Sequence, residues 1–197
     1  MNILSWYRLK KKTSPSKTQK ILGKIEALSE KRFLPIIGPE KGTVLSDIIH
    51  EFKPKRILEV GTLIGYSAIL MGKNLTADAE IVTIEIHPDD AEHAKRNIQQ
   101  AEIPPKVRVL VGDAKQIIPT LKGKFDIVFV DAEKTEYLQY LHLAEEKLHK
   151  NSVVVADNAG IFADQMQDYL TYVRSSGKYR SRYFGFGSDG VEVSVKL

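Results

Sequence analysis

Hydrophobic positions along this chain change period in a regular way. Ser16 to Lys31 carries Ile21, Leu22, Ile25 and Leu28, and Thr43 to Phe52 carries Val44, Leu45, Ile48 and Ile49. Both sets have the three-and-four spacing that lines up one apolar helix face. Between them, Phe33 to Gly42 holds two prolines and two glycines and is expected to be a loop. From Lys55 onward, short apolar runs alternate with amphipathic stretches. Strands are expected at 56–60, 81–86, 107–111, 125–130 and 152–156, and helices at about 66–74, 89–102, 114–121, 135–149 and 163–176. Such alternation predicts a doubly wound α/β fold, a parallel sheet with helices on both faces. Tyr179 to Leu197 offers two extended runs around Gly185-Phe-Gly-Ser-Asp-Gly190, which reads as a β-hairpin closing the sheet. The expectation is a mostly parallel seven-stranded sheet in one domain, residues 16–197, preceded by an arm over residues 1–15.

Open parallel sheets place their sites at the carboxyl ends of their strands. Read in turn, those ends carry Glu59, Glu85, Asp113, Asp131, and Asp157 with Asn158. The first is the most informative. The run Ile57 to Val60 turns on Gly61 and Gly65, and a helix starts near Ser67. A glycine turn between a strand and a helix N-terminus exposes backbone N–H groups to a ligand. A plain turn has the same outline, but Glu59 sits inside an apolar strand, where an unpaired carboxylate is costly. Glu85 ends the next strand 24 residues after Gly61, where an acid is placed to accept from ribose hydroxyls. A dinucleotide site calls for G-x-G-x-x-G, and the middle glycine is Leu63 here. Glu59 also repels phosphate and suits a cation. S-adenosylmethionine (SAM), with an amino group, a sulfonium and no phosphate, therefore fits better than NAD.

A second cluster shares that rim. Asp131 and Asp157 end strands expected to be neighbours, and with Asn158 they form an all-oxygen set suited to a hard cation such as Mg²⁺. The simpler alternative is that each Asp caps the next helix. Lys134 lies three residues after Asp131. Beside a cation its pKa falls and it can serve as a general base; without one it is an ordinary solvated lysine. Among the five histidines only His87, two residues after Glu85, is placed to touch a nucleoside.

Composition narrows the classes. The 197 residues are 43% hydrophobic and 27% charged, and there is no cysteine, which excludes disulfides and thiolate metal sites. No apolar run is long enough to span a bilayer, so a cytoplasmic protein is expected. Residues 1–32 hold nine Lys or Arg against Glu26 and Glu30, +7, which leaves −3 for the rest of a chain of net charge +4. That basic segment, with Trp6 and Tyr7, either aids solubility or meets an anionic partner such as tRNA.

Taken together, the motifs Glu59-Val-Gly-Thr-x-x-Gly-Tyr-Ser67, Thr83-Ile-Glu-Ile-His-Pro88, Gly112-Asp-Ala114, Val130-Asp-Ala-Glu-Lys-Thr-Glu-Tyr137 and Ala156-Asp-Asn158 resemble the cation-dependent class I O-methyltransferases. That group includes catechol and caffeoyl-CoA O-methyltransferases, and the resemblance runs from Gly38 to the C-terminus. It implies that Glu59, Gly61, Gly65 and Ser67 hold the methionine part of SAM and that Glu85 binds the ribose. Asp113 and Ala114 would flank the adenine, and Ile37 would contact the cofactor through its backbone. Asp131, Asp157 and Asn158 would bind the metal, Asp131 also bordering SAM, and Lys134 would be the catalytic base. The family also implies a homodimer. The departures concern the acceptor: Glu133 stands where catechol enzymes have tryptophan, and Tyr183-Phe-Gly-Phe-Gly187 offers no acid for the second hydroxyl. A phenolic, catechol-like acceptor is expected, with a hydroxylated tRNA nucleoside and a non-catalytic SAM- or RNA-binding protein as alternatives.

Overall fold

The expected alternation builds a single seven-stranded sheet in a computed structural model, which describes residues 14–197. Most of the expected arm, including Trp6 and the Lys10-Lys11-Lys12 run, lies outside the described residues. The strands are β1 (Arg56–Val60), β2 (Glu80–Glu85), β3 (Lys106–Val111), β4 (Phe125–Val130), β5 (Leu148–Ala156), β6 (Tyr179–Phe186) and β7 (Asp189–Lys196), in the order β3-β2-β1-β4-β5-β7-β6. β1 to β5 pair in parallel, while β7 runs antiparallel to both β5 and β6.

The central strands are apolar on both faces, as burial under two helical layers requires. Alternation along each strand divides their side chains. Ile57, Ile81, Ile127, Phe129 and Val153 pack with α1 (Lys17–Ser29), α2 (Gly38–Phe52) and α3 (Tyr66–Gly72). Leu58, Val60, Val82, Ile84, Val128 and Val154 pack with α5 (Ala114–Thr120), α6 (Tyr137–Glu145) and α7 (Gln167–Ser175). α4 (Pro88–Ala101) lies against α1 and α3. α1 begins with a capping box between Ser16 and Gln19, and Thr18 Oγ1 donates to the Ala101 carbonyl of α4 at 2.8 Å.

Three boundaries depart from what the sequence pattern predicts. The glycine-proline segment before residue 43 is not all loop: α2 starts at Gly38 with Pro39 in its first turn, where a missing N–H costs nothing. α6 stops at Glu145 and β5 starts at Leu148, because Leu148 pairs beside Phe125 of β4 and is buried there. Tertiary pairing thus takes residues that local periodicity assigns to the helix. α7 begins only at Gln167, after a turn-rich segment that follows Asn158.

The topology gathers one rim. Gly61 N donates to Ile84 O, Gly112 N to Glu85 O, Asp131 N to Val60 O, and Asp157 N to Val130 O, each at 2.9–3.0 Å. These bonds extend the ladder by one residue at every parallel strand end and hold the outgoing loops side by side. β7 is antiparallel to β5, so its first residue, Asp189, comes to the end where β5 delivers Asp157 and Asn158.

Candidate active site

A cleft of about 960 Å³ opens over this rim. Its lining includes Ile37, Gly61, Ser67, Glu85, Asp113, Ala114, Asp131, Lys134 and Asn158, so most of the residues singled out in the sequence meet in one place. A second, smaller cleft of about 600 Å³ sits between β3 and α5 and is bordered by Arg56, Arg108 and Lys122. There the Arg56 guanidinium is already taken by Glu80 and by the Lys122 and Lys124 carbonyls, which leaves no converging set of free groups.

On the β1 side, backbone approach decides the residue types. Gly61 has φ +93, and a Cβ there would lie 2.0 Å from the Asp131 carbonyl oxygen. Gly65, with φ +89, is the N-cap of α3, and a Cβ there would press on Ala94 at 3.3 Å. Leu63 between them is held at φ +48, an uncommon conformation for a branched side chain. Its N–H donates to Glu85 Oε2 at 2.7 Å, and the His87 N–H donates to Oε1 at 2.9 Å. Both oxygens of Glu85 are thus oriented by backbone, each has a second lone pair in reserve, and the residue lines the cleft. Gly61→Ala is expected to lose about 3 kcal/mol of stability, since a clash with backbone adds to a strained φ; urea unfolding of the two proteins measures it.

Glu59 is fully buried, and neither carboxylate oxygen has a hydrogen-bond partner. Burial pushes it up to about 7, with the charges of Asp131 and Glu85 acting in the same direction. The hydroxyls of Ser67 and Thr83 favour the ionised form from nearby but fall short of hydrogen-bond geometry, and Thr83 is engaged with Thr62. Glu59 does not itself line the cleft, although its neighbours Val60 and Gly61 do; a buried carboxylate without a hydrogen bond is suited to a cationic donor.

The acids at the ends of β4 and β5 do not cap helices. α7 has Met166 at its N-cap with no side-chain cap bond, and the 3-10 turn Lys134–Glu136 is capped by Glu133. Asp113, by contrast, is a cap, its Oδ1 accepting from Lys115 N at 2.8 Å, and it also lines the cleft. Lys134 Nζ donates to Asp131 Oδ1 at 3.0 Å and to the Tyr137 hydroxyl at 2.9 Å. Burial, together with the Asp131 and Asp157 charges, holds the Tyr137 phenol far above its usual range, so it stays protonated. Burial and the Asp131 charge push Asp157 up to about 7, against the pull of Lys41. Lys41 Nζ lies 2.7 Å from Asp157 Oδ1, donates to Oδ2 at 2.8 Å, and donates to Asp189 Oδ2 at 2.7 Å. Asn158 adopts φ +61, a conformation that asparagine tolerates, and its Nδ2 donates to Asp189 Oδ2 at 2.8 Å. Lys41, Tyr137 and Asp189 are not among the residues that the sequence pattern singles out, although Lys41 lies in the Gly38-Pro-Glu-Lys-Gly42 stretch that begins the resemblance.

A family profile described as O-methyltransferase matches residues 12–169. The chain belongs to the O-methyltransferase family. Among similar members of that family, catechol O-methyltransferase B of Danio rerio is 37% identical over 174 residues, covering 82% of this chain and 65% of that one. Catechol O-methyltransferase of Mus musculus is 34% identical over 178 residues, covering 86% and 66%. The chain thus spans about two thirds of the length of these two relatives. The O-methyltransferase TomG of Streptomyces achromogenes, whose structure was solved in complex with SAM, superposes with a TM-score of 0.81 at 26% identity over 90% of each chain. The strand order and C-terminal hairpin described above are therefore those of an O-methyltransferase-family fold.

Proposed function

We propose that this chain is a SAM-dependent O-methyltransferase that methylates a hydroxyl of a small, catechol-like acceptor with the help of a divalent cation. The observation that carries the proposal is the buried Glu59 carboxylate without a hydrogen bond, on β1 just before the Gly61 turn and near Asp131, on the rim that also carries Asp157, Asn158 and Lys134. Glu59 accepts from the amino group of SAM, with Gly61, Gly65 and Ser67 around the methionine part. Glu85 receives the ribose hydroxyls, Asp113 and Ala114 border the adenine, and Ile37 meets the cofactor through its backbone.

Two carboxylates and an amide also fit a hard cation. Among the described residues no group of three His, Asp or Glu converges as a metal site, so the set rests on Asn158 as its third member. Asp157 Oδ1 is buried and has no hydrogen bond of its own, but the Lys41 ammonium lies 2.7 Å from it, so this oxygen already faces a positive charge. Asp131, Asp157 and Asn158 would hold the ion. When bound, a divalent cation lowers the pKa of an acceptor hydroxyl and stabilises the resulting oxyanion. Lys134, acting as the unprotonated amine, takes the hydroxyl proton at Nζ and becomes the ammonium that Asp131 and the Tyr137 hydroxyl hold. The acceptor oxygen then displaces sulfur in line, its bond to the methyl carbon forming as the sulfonium bond breaks and S-adenosylhomocysteine leaves. The chain contributes mainly proximity and water exclusion.

The acceptor side of the cleft is walled by Phe33, Pro35, Ile161 and Phe162, with Phe162 near Lys134. Phe33 is 93% exposed and Ile161 58%, apolar surface that an aromatic acceptor would cover. This wall suits a flat phenol better than a phosphate backbone. The test offers tritiated SAM and Mg²⁺ with caffeate or with bulk tRNA. Label in caffeate and none in tRNA is expected. Label confined to tRNA would overturn the acceptor class, and label in neither, despite tight cofactor binding, would favour a non-catalytic SAM-binding protein.

A further inference from the structure

Asp189 lies outside the set that would touch the cation, yet it ties that set together. Its Oδ2 accepts from Asn158 Nδ2 at 2.8 Å and from Lys41 Nζ at 2.7 Å. Its Oδ1 accepts from the Ile161 N–H at 3.2 Å and, more weakly, from Gly160 N at 3.4 Å. The Asp157–Ile161 segment is seated on the start of β7. Ala159 N donates to Gly190 O at 2.9 Å, and a Cβ on Gly160 would lie 2.8 Å from the Asp189 Cα. One carboxylate therefore fixes the loop that carries two of the three oxygen donors.

The consequence for Asn158 is specific. An amide has one oxygen and one NH₂ group, and only the oxygen can ligate a cation. With Nδ2 committed to Asp189, Oδ1 is the end left for the cleft. Lys41 extends the arrangement to Asp157, binding both carboxylates at once. Burial works against its charge, but Asp157 and Asp189 outweigh it and hold the ammonium above its usual range. The donors around Asp189 likewise outweigh its own burial and bring it down to about 2, so the pair stays ionised.

We propose that Asp189 is a positioning residue for cation binding: it orients Asn158 through the amide nitrogen, and Lys41 links the same carboxylate to Asp157. The proposal rests on the cation reading above. An asparagine at 189 keeps the shape but not the pattern of acceptors. Its own NH₂ must face either the Asn158 and Lys41 donors or the Gly160 and Ile161 N–H groups. The first arrangement is relieved by turning the Asn158 amide over, which points Nδ2 at the cation.

Mn²⁺ binding, followed by electron paramagnetic resonance on the full chain saturated with S-adenosylhomocysteine, tests this without turnover. Asp189→Asn is expected to weaken Mn²⁺ by about tenfold or more, the usual cost of losing an outer partner of a ligand, with S-adenosylhomocysteine affinity unchanged as the folding control. Asp189→Glu keeps the charge but moves the carboxylate, and is expected to weaken Mn²⁺ as well. In an Asn158→Ala background the further loss from Asp189→Asn shrinks to less than about twofold, as for two residues acting in series. Wild-type affinity in both Asp189 variants, or an undiminished loss in the Asn158→Ala background, would overturn the proposal alone. No Mn²⁺ binding by the wild type would overturn the cation reading and the proposal with it.

Discussion

Glu59→Gln is expected to stabilise the ligand-free protein and to cripple cofactor binding. Burial raises the pKa of the native carboxyl from its ordinary 4.5 to about 7. A raised acid binds more protons folded than unfolded between those values. Stability therefore falls as pH rises through that window and stays low above it, by roughly 3 kcal/mol in all at 1.36 kcal/mol per unit. Glutamine removes that cost. The variant should melt several degrees higher than wild type at pH 8, with the difference shrinking toward pH 4.5. In the same variant, SAM loses its buried ionic partner for the amino group. Affinity is expected to drop by about 100-fold, at the low end for truncating such a pair. Wild-type SAM affinity should also weaken below pH 7, as Glu59 protonates. Calorimetry and thermal melts over pH 5–8 measure both effects. A variant that is neither more stable nor weaker in binding would remove Glu59 from the cofactor site.

The second large effect belongs to Lys134. Its Nζ sits between Asp131 and the Tyr137 hydroxyl, and in the proposed mechanism a methionine in its place leaves the acceptor hydroxyl without a base. Turnover of caffeate by Lys134→Met is expected to fall by about 1000-fold, within the range for general base catalysis. The discriminating readout is the acceptor. A nitrocatechol, ionised before it binds, should lose less than about tenfold in the same variant. Equal losses on both acceptors would mean that Lys134 positions the site without taking the proton.

Much of this rim is legible in the amino-acid sequence. Glu59, Glu85, Asp131, Asp157 and Asn158 stand at the ends of apolar runs, and in a parallel sheet those ends face one way. Local periodicity suffices because the crossover rule supplies the topology. What escapes is long-range. Lys41 and Asp189 are 148 positions apart and meet only because β7 enters antiparallel beside β5. Lys41 is also obscured by the prolines and glycines around it, which read as loop although Pro39 opens α2. Asp113 does two jobs that the sequence shows as one, since it lines the cleft while one carboxylate oxygen caps the α5 N-terminus. The α6–β5 boundary escapes local periodicity because Leu148 takes its state from pairing with Phe125, which no local pattern records.

The proposed reaction requires one rim to hold SAM and a divalent cation side by side for methyl transfer. Tritiated methyl transfer from SAM to caffeate, with Mg²⁺ present and again with excess chelator, tests it most directly. Methylated caffeate is expected to form only with Mg²⁺, to disappear with chelator, and to return when Mg²⁺ is restored. Equal transfer in chelator would contradict a role for the cation in methyl transfer.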